Sequence, residues 1–347
     1  MRKKTQKLAR REQIRSIVLT TTVIENREVT WNVLGIPVYG TITAPADTET
    51  LGAVVFIAGS GPTDRDWCSP LLPGTNGSAR LLAEVLASQG FMTLRYDKLA
   101  SGPHVRENFS AFSGKLSMQT HRDELAGAVE TIVSEKTVDR NNLFVLANSE
   151  GTIHAVNYQL QAKKNRFRGL VLTGAPGRSI GDVGRSQIAG QTKSLPGAET
   201  IIKQYDDAIA AFLAGKPMVI DPSLPEGVRQ LLYSLESPAN LPFARELWDY
   251  KLPEHVAHVN EPVLVVIGKK DIQIDWQTDG KALENATGKK PSVSFAYPEN
   301  ANHVLKHEET PRENLTVPYV MEHYNAADAV LDGESTDTII TWLKKLC

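Results

Sequence analysis

The stretch LANSEGT, residues 146–152, decides the fold. It follows a short hydrophobic run typical of a buried strand and opens a longer stretch with a helical pattern. A serine with a small residue two positions away on each side fits the tight strand-to-helix turn of a nucleophile elbow, G-x-S-x-G, because this turn presses the backbone against its neighbours. Ala147 replaces the first glycine of that pattern, and Gly151 supplies the second. Ser149 is therefore the candidate nucleophile, the alternative being a serine that caps a helix.

Short hydrophobic runs recur on both sides of this turn, each bounded by Gly, Pro, Asn or Asp. Such runs are typical of strands buried on both faces of a parallel sheet. We predict consecutive strands at residues 53–57, 92–95, 143–146, 169–173, 263–267 and 292–296, preceded by a hairpin at residues 31–33 and 38–42. Helical patterns lie between several of them, at residues 78–89, 120–134 and 150–163. This alternation predicts an α/β fold with a mostly parallel sheet flanked by helices.

One long segment interrupts the alternation. Roughly ninety residues separate the predicted strand at residues 169–173 from the next one at residues 263–267, and they carry no convincing strand pattern. Within them, three stretches are helix-like, at residues 199–214, 226–236 and 243–250. We predict that residues 176–259 form a helical cap or lid over the site; the alternative is a helical excursion with no role in substrate binding. The core then comprises residues 31–175 and 260–347, with an N-terminal extension at residues 1–30.

Two residues that complete a catalytic triad also follow predicted strands. Asp271 lies just after the run VLVVI, and His303 lies in the loop after SVSFA. Because catalytic groups of open α/β sheets gather at the carboxyl ends of the strands, we expect both residues beside Ser149. A serine hydroxyl needs an imidazole to remove its proton, and the imidazole needs a carboxylate to fix its tautomer. We predict His303 as the general base and Asp271 as the orienting acid, in preference to Asp275.

A glycine-rich turn is the candidate for the last part of the site, the oxyanion hole. The residues AGSGP, 58–62, directly follow the predicted strand AVVFI. In this kind of site one oxyanion donor comes from such a turn, and the other from the residue after the nucleophile. We therefore assign an oxyanion hole to the backbone N–H groups of Ser60 and Glu150. The turn could instead bind phosphate, but the pattern G-x-x-x-x-G-K-[ST] does not follow it.

Five segments carry a resemblance to a known family: GSGPTDRD (59–66), RYDK (95–98), NSEG (148–151), VIGKKD (266–271) and the pair Asn302-His303. Over residues 38–346 the chain resembles the α/β-hydrolase superfamily, in particular bacterial esterases and serine-aminopeptidase-like hydrolases. The resemblance implies an eight-stranded sheet, a lid between the sixth and seventh strands, and acyl transfer to water. It also implies that Asp97 is structural rather than the triad acid.

These residues predict a serine hydrolase that cleaves carboxylic esters of short to medium acyl chains through an acyl-enzyme, without a metal or organic cofactor. Peptidase action is one alternative, and it would need an acidic anchor for the substrate amine, such as Asp64, Asp66 or Glu150. Thioesterase and lyase action are further alternatives on the same fold. A non-catalytic binding module is the alternative from a different functional class, but Ser149, His303 and Asp271, the three residues of a catalytic triad, are all present.

The composition and net charge of the chain indicate which kinds of binding partner to expect. The 347 residues are 41% hydrophobic and 22% charged, with a formal net charge of −2, which is ordinary for a soluble globular enzyme. Without an overall basic field we expect a small-molecule ester as partner, rather than nucleic acid or a membrane. Residues 1–15 are locally basic, which we interpret as a solvated or frayed terminus. Neither a signal peptide nor a bilayer span is recognised, and the two cysteines form no disulfide framework, so we expect the cytoplasm.

Overall fold

One eight-stranded sheet organises the chain in the computed structural model, which describes residues 23–46, 49–288 and 290–347. The strands are β1 (Ile24–Val33), β2 (Ile36–Pro45), β3 (Gly52–Ile57), β4 (Phe91–Tyr96), β5 (Leu143–Asn148), β6 (Gly169–Thr173), β7 (Val263–Val266) and β8 (Val293–Ala296). They lie in the order β1-β2-β4-β3-β5-β6-β7-β8. The β1–β2 and β2–β4 pairs are antiparallel, and the other five pairs are parallel. The predicted α/β fold with a mostly parallel sheet is confirmed.

Helices connect the strands and cover both faces of the sheet. In chain order they are α1 (Ser78–Ser88), α2 (Val105–Phe112), α3 (Met118–Val133), α4 (Gly151–Gln161), α5 (Ile180–Thr192), α6 (Ala198–Leu213), α7 (Glu226–Glu236), α8 (Phe243–Trp248), α9 (Leu252–Val256), α10 (Thr278–Thr287), α11 (Val317–His323) and α12 (Gly333–Leu346). A short 3-10 turn at Arg312–Asn314 precedes α11. Among the helices of the described ranges, none is long and apolar enough to cross a membrane.

The core consists of two layers because successive side chains of a buried strand point to opposite faces. In β3, Val55 and Ile57 belong to the layer that includes α3 and α4, whereas Val54 and Phe56 belong to the layer that includes α1 and α12. All four side chains are buried. Both faces of the sheet are therefore covered.

The hairpin at the start of the sheet is longer than its sequence pattern predicts. β1 and β2 pair from Ile24 opposite Pro45 to Val33 opposite Ile36, and the turn between them places Leu34 and Gly35 at φ values of 54° and 77°. Residues 24–30, assigned above to the N-terminal extension, therefore pair within the sheet. The preceding residues 1–22 lie outside the described part, so the basic terminus remains a prediction.

The long segment between β6 and β7 contains five helices, α5 to α9. Three of them, α6, α7 and α8, correspond to the helix-like stretches of the sequence, and they share a hydrophobic cluster centred on Tyr205, Phe212 and Leu232. In contrast, α9 packs on the main core through Leu252 and Val256, which are fully buried. β6 and β7 remain hydrogen-bonded neighbours across this segment, so the insertion leaves the sheet uninterrupted.

Candidate active site

Ser149 occupies a sharp turn between β5 and α4. Its backbone φ is 54°, a left-handed conformation that is uncommon for a residue with a side chain. The Ser149 amide donates to the carbonyl of Thr173 at 2.9 Å, and its own carbonyl accepts from the Thr152 amide at 3.0 Å and the Thr152 hydroxyl at 2.6 Å. These bonds hold the strained turn and place Ser149 at the carboxyl end of β5.

Close packing behind the turn explains why small residues flank Ser149. A Cβ added to Gly151 would lie 2.7 Å from the backbone oxygens of both Ile57 and Ala58. Ala147, two residues before the serine, is fully buried in the sheet. Gly151 therefore lets α4 begin directly against the end of β3.

Gly151→Ala is expected to lower the free energy of unfolding by about 1–3 kcal/mol, because its new methyl group must displace backbone atoms. Gly227→Ala in α7 is the matched control, since its Cβ would meet no atom within 4 Å and alanine favours helix. Urea titration of both variants measures the difference. Equal stability of the two variants would show that the approach of α4 to β3 is not tight.

His303 and Asp271 are hydrogen-bonded at the same edge. The distance between His303 Nδ1 and Asp271 Oδ2 is 2.7 Å, and the Asp271 side chain has no exposed surface. Asp271 Oδ1 accepts from the amides of Gln273 at 2.8 Å and Ile274 at 2.9 Å. With its Nδ1 proton donated to the carboxylate, the neutral imidazole keeps Nε2 as an acceptor.

The end of β6 links the elbow to the histidine loop. Thr173 accepts from the Ser149 amide, and a Cβ on the next residue, Gly174, would lie 3.0 Å from His303 Cε1. Asn148 Nδ2 donates to the carbonyl of His303 at 3.0 Å. Within the described residues, no hydrogen bond joins the Ser149 hydroxyl to His303; such bonds are often long until substrate binds. The structure thus brings the three predicted residues to one edge of the sheet.

Gly268, in the segment VIGKKD, has a structural role that the sequence pattern did not indicate. A Cβ at this position would lie 2.0 Å from the carbonyl oxygen of Ala301. The loop that carries Asp271 therefore touches the loop that carries His303, which only a residue without a side chain permits. A glycine directly after a buried strand is the sequence signal that could have identified this contact.

The other two acids considered from the sequence are engaged elsewhere. Asp275 accepts from the Thr278 amide at 2.7 Å and pairs with Arg312 at 2.8 Å. Asp97 accepts three hydrogen bonds from Arg65, one from its backbone amide and two from its guanidinium. Neither is hydrogen-bonded to a histidine in the described chain, so Asp271 is the acid that contacts His303.

The glycine-rich turn after β3 adjoins the elbow. A Cβ on Gly59 would lie 3.2 Å from Ser149 Cβ. The backbone N–H groups of Ser60 and Glu150, the two predicted oxyanion donors, make no hydrogen bond to other described residues. Both amides are therefore free to bind a substrate oxygen.

Ser60 and Glu150 line a cavity of about 460 Å³. Its walls are mainly apolar, and they come from two sides. Core elements contribute Leu71, Ala100, Val105, Phe109, Phe112 and Leu116, and the insertion contributes Ile180, Leu231, Leu235, Phe243, Leu247 and Trp248. An apolar cavity of this size beside two free N–H donors suits a small substrate with a hydrophobic part.

Known proteins share this fold. Esterase EstD of Thermotoga maritima is 22% identical to the chain over 325 residues, which are 92% of this chain and 68% of EstD. The solved thermophilic esterase of Thermogutta terrifontis matches with a TM-score of 0.51 and 17% identity, covering 92% of this chain and 99% of that one. A puromycin-hydrolysing peptidase of Mycobacterium tuberculosis matches with a TM-score of 0.52 and 16% identity, covering 94% of this chain and 40% of that one.

The chain has the fold of the α/β hydrolases. No family model matches the chain.

Buried charges lie next to the glycine-rich turn after β3. Lys98 Nζ is 3.0 Å from Glu150 Oε1, and His154 Nε2 is 3.1 Å from the same oxygen. Burial alone would raise the pKa of Glu150, but Lys98 and then His154 hold that pKa well below its usual range. Burial, reinforced by the neighbouring His121, lowers the pKa of His154 to about 4. Glu150 is therefore ionised and His154 neutral near pH 7.

The acids that could anchor a substrate amine are all occupied. Asp66 pairs with Arg95, and Asp64 accepts from the amides of Asp66 and Cys68 at 2.9 Å each. Burial raises the pKa of Asp64 to about 6. Of the three, Glu150 lines the cavity, and its carboxylate is paired with Lys98.

Proposed function

We propose that this chain is an α/β-hydrolase and that it acts as a carboxylesterase on short to medium acyl chains through an acyl-enzyme at Ser149. The observation that carries the proposal is the apolar cavity beside the free N–H groups of Ser60 and Glu150. Its volume falls in the range of about 300–1,000 Å³ that small-molecule sites occupy. The similarity to esterase EstD supports the same activity.

The proposed reaction has two acyl-transfer steps. His303 Nε2 takes the proton of Ser149 Oγ as that oxygen attacks the ester carbonyl carbon, and Asp271 stabilises the resulting imidazolium. The carbonyl oxygen becomes negative and accepts hydrogen bonds from Ser60 and Glu150. The tetrahedral intermediate collapses, and the alcohol leaves with the proton from His303. Water then attacks the acyl-enzyme in the same way and releases the carboxylic acid.

We also propose that residues 176–259 act as a lid. Helices α7 and α8 supply Leu231, Leu235 and Leu247 to the cavity wall, opposite the side formed by the core. An acyl chain bound between the two walls would be removed from water on both sides. Closure of the insertion over the site would then strengthen the hydrogen bonds that stabilise the transition state.

Peptidase action is the alternative, and the charges in the cavity favour esters. An aminopeptidase must bind a positively charged amine, which requires an unpaired acid near the scissile bond. Glu150 is the acid that lines the cavity in the described structure, and it is already neutralised by Lys98. A neutral ester has no such requirement.

The kcat/KM for p-nitrophenyl esters is expected to rise with acyl chain length until the cavity is full, and then to fall. Each Å² of apolar surface removed from water contributes about 25 cal/mol, so the rise should be several-fold for each added methylene. Aminoacyl-p-nitroanilides, measured on the same preparation, should react far more slowly. The Ser149→Ala protein provides the background rate. Faster hydrolysis of the anilides would replace the esterase assignment with a peptidase one.

A further inference from the structure

Lys98 is a buried lysine next to the oxyanion turn, in the loop that follows β4. Only 4% of its surface is exposed. Its ammonium group donates to the carbonyl oxygen of Gly59 at 2.6 Å and to Glu150 Oε1 at 3.0 Å. Burying an ammonium group is costly unless its hydrogen bonds are satisfied. These two partners therefore satisfy hydrogen bonds of the buried Lys98 side chain.

The bond to Gly59 fixes the direction of a neighbouring N–H group. The peptide between Gly59 and Ser60 is planar and trans, so its C=O and N–H bonds point in opposite directions. Because the Gly59 oxygen points at Lys98, the Ser60 N–H must point away from it. Rotation of this peptide would otherwise be easy, since it depends on ψ of Gly59 and φ of Ser60, and Gly59 has no side chain to restrict it.

The bond to Glu150 involves the second proposed donor. Glu150 follows Ser149 directly, and its backbone N–H is the other group assigned to the oxyanion hole. Its carboxylate is held by Lys98 on one side and by His154 Nε2, at 3.1 Å, on the other. The Lys98 ammonium group thus contacts Gly59, whose peptide bond carries the Ser60 N–H, and Glu150, which carries the other N–H donor.

We propose that Lys98 is a positioning residue for the oxyanion hole: its ammonium group orients the Gly59–Ser60 peptide and ties it to Glu150. Lys98 acts through this peptide and does not itself touch the reacting atoms. The inference rests on the proposed esterase function and names a determinant of its rate. It predicts that loss of Lys98 weakens binding of the transition state more than binding of the substrate.

The test replaces the ammonium group with an uncharged side chain of similar length. Lys98→Met is expected to lower kcat for a p-nitrophenyl ester by about 10²-fold, the scale of losing one oxyanion donor, with little change in KM. Lys290→Met is the matched control, because Lys290 also donates to two backbone carbonyls, those of Ala257 and Val259, at a distance from the site. Its kcat should equal that of the wild type.

A thionoester substrate separates positioning from general damage. Sulfur accepts hydrogen bonds more weakly than oxygen, so the wild-type enzyme should hydrolyse the ester faster than the matching thionoester. In Lys98→Met this ratio should shrink, because the ester loses a hydrogen bond that the thionoester scarcely uses. A structural defect would lower both rates equally, and that result would overturn the proposal.

A double variant keeps the test valid if Lys98→Met leaves Glu150 unpaired and fails to fold. Lys98→Met/Glu150→Gln removes both charges, so the buried site is neutral, while the Gly59 carbonyl still lacks its donor. It should show the same loss of kcat and the same smaller ratio, whereas Glu150→Gln alone, which keeps Lys98, should lose less. Wild-type kcat in either Lys98 variant would refute the role of Lys98. An inactive wild-type protein would instead refute the proposed esterase function.

Discussion

Ser149→Ala is expected to fold normally and to lose about six orders of magnitude in kcat for ester hydrolysis. Without the hydroxyl there is no atom to carry the acyl group, so the positioned imidazole and the oxyanion donors have no covalent step to assist. The hydroxyl of Ser149 makes no hydrogen bond to other described residues, and an alanine keeps the Cβ that packs against Gly59. The stability of the variant should therefore match that of the wild type.

Two measurements on the same protein test this expectation. Hydrolysis of a p-nitrophenyl ester should fall to the background rate, and a fluorophosphonate probe should label Ser149 in the wild type and nothing in the variant. Ser134→Ala is the control, because Ser134 is an exposed serine at the end of α3. Residual activity within tenfold of the wild-type value would exclude Ser149 as the nucleophile.

The buried strands and the residues at their ends were the most predictable part of the molecule. Runs such as AVVFI and GLVLT are hydrophobic without alternation because both faces of the sheet are covered, and they become β3 and β6. Once such strands are parallel, the loops after them must meet at one edge. This is why Asp271 and His303 could be placed together from the sequence, although their catalytic roles remain predictions.

The edge of the sheet was predicted less well, for a physical reason. β1 is the outermost strand, and most of its side chains are at least partly exposed. Polar residues such as Glu25, Arg27 and Glu28 therefore interrupt any hydrophobic run, and the strand is defined mainly by its backbone pairing with β2. An exposed strand of this kind shows little of the pattern that identifies a buried one.

The contacts that support the site could not be read from the sequence. Asn148 donates to the carbonyl of His303 across 155 positions in the chain, and Lys98 donates to the carbonyl of Gly59 across 39. Each bond joins a side chain to a backbone oxygen, and a backbone oxygen has no residue type that a pattern could detect. Their positions follow only when the sheet order is known.

Asp271→Asn is expected to lower kcat by about 10⁴, because it imposes the wrong tautomer on His303. The amides of Gln273 and Ile274 donate to Oδ1 of Asp271, so an asparagine would turn its carbonyl oxygen toward them. Its NH₂ group would then face His303 Nδ1, where the carboxylate now accepts a proton. The imidazole would carry its proton on Nε2 and could not take one from Ser149.

Asp275→Asn is the matched control for this substitution, four residues along the same loop. Its side-chain oxygen would still accept from the Thr278 amide, and only the charge facing Arg312 would be lost. Partly exposed pairs of this kind contribute about 0–1 kcal/mol to stability, and neither partner contacts His303. The kcat of Asp275→Asn should therefore stay close to the wild-type value. If Asp275→Asn lost activity while Asp271→Asn kept it, the triad acid would be Asp275, and the 2.7 Å contact between Asp271 and His303 would be structural.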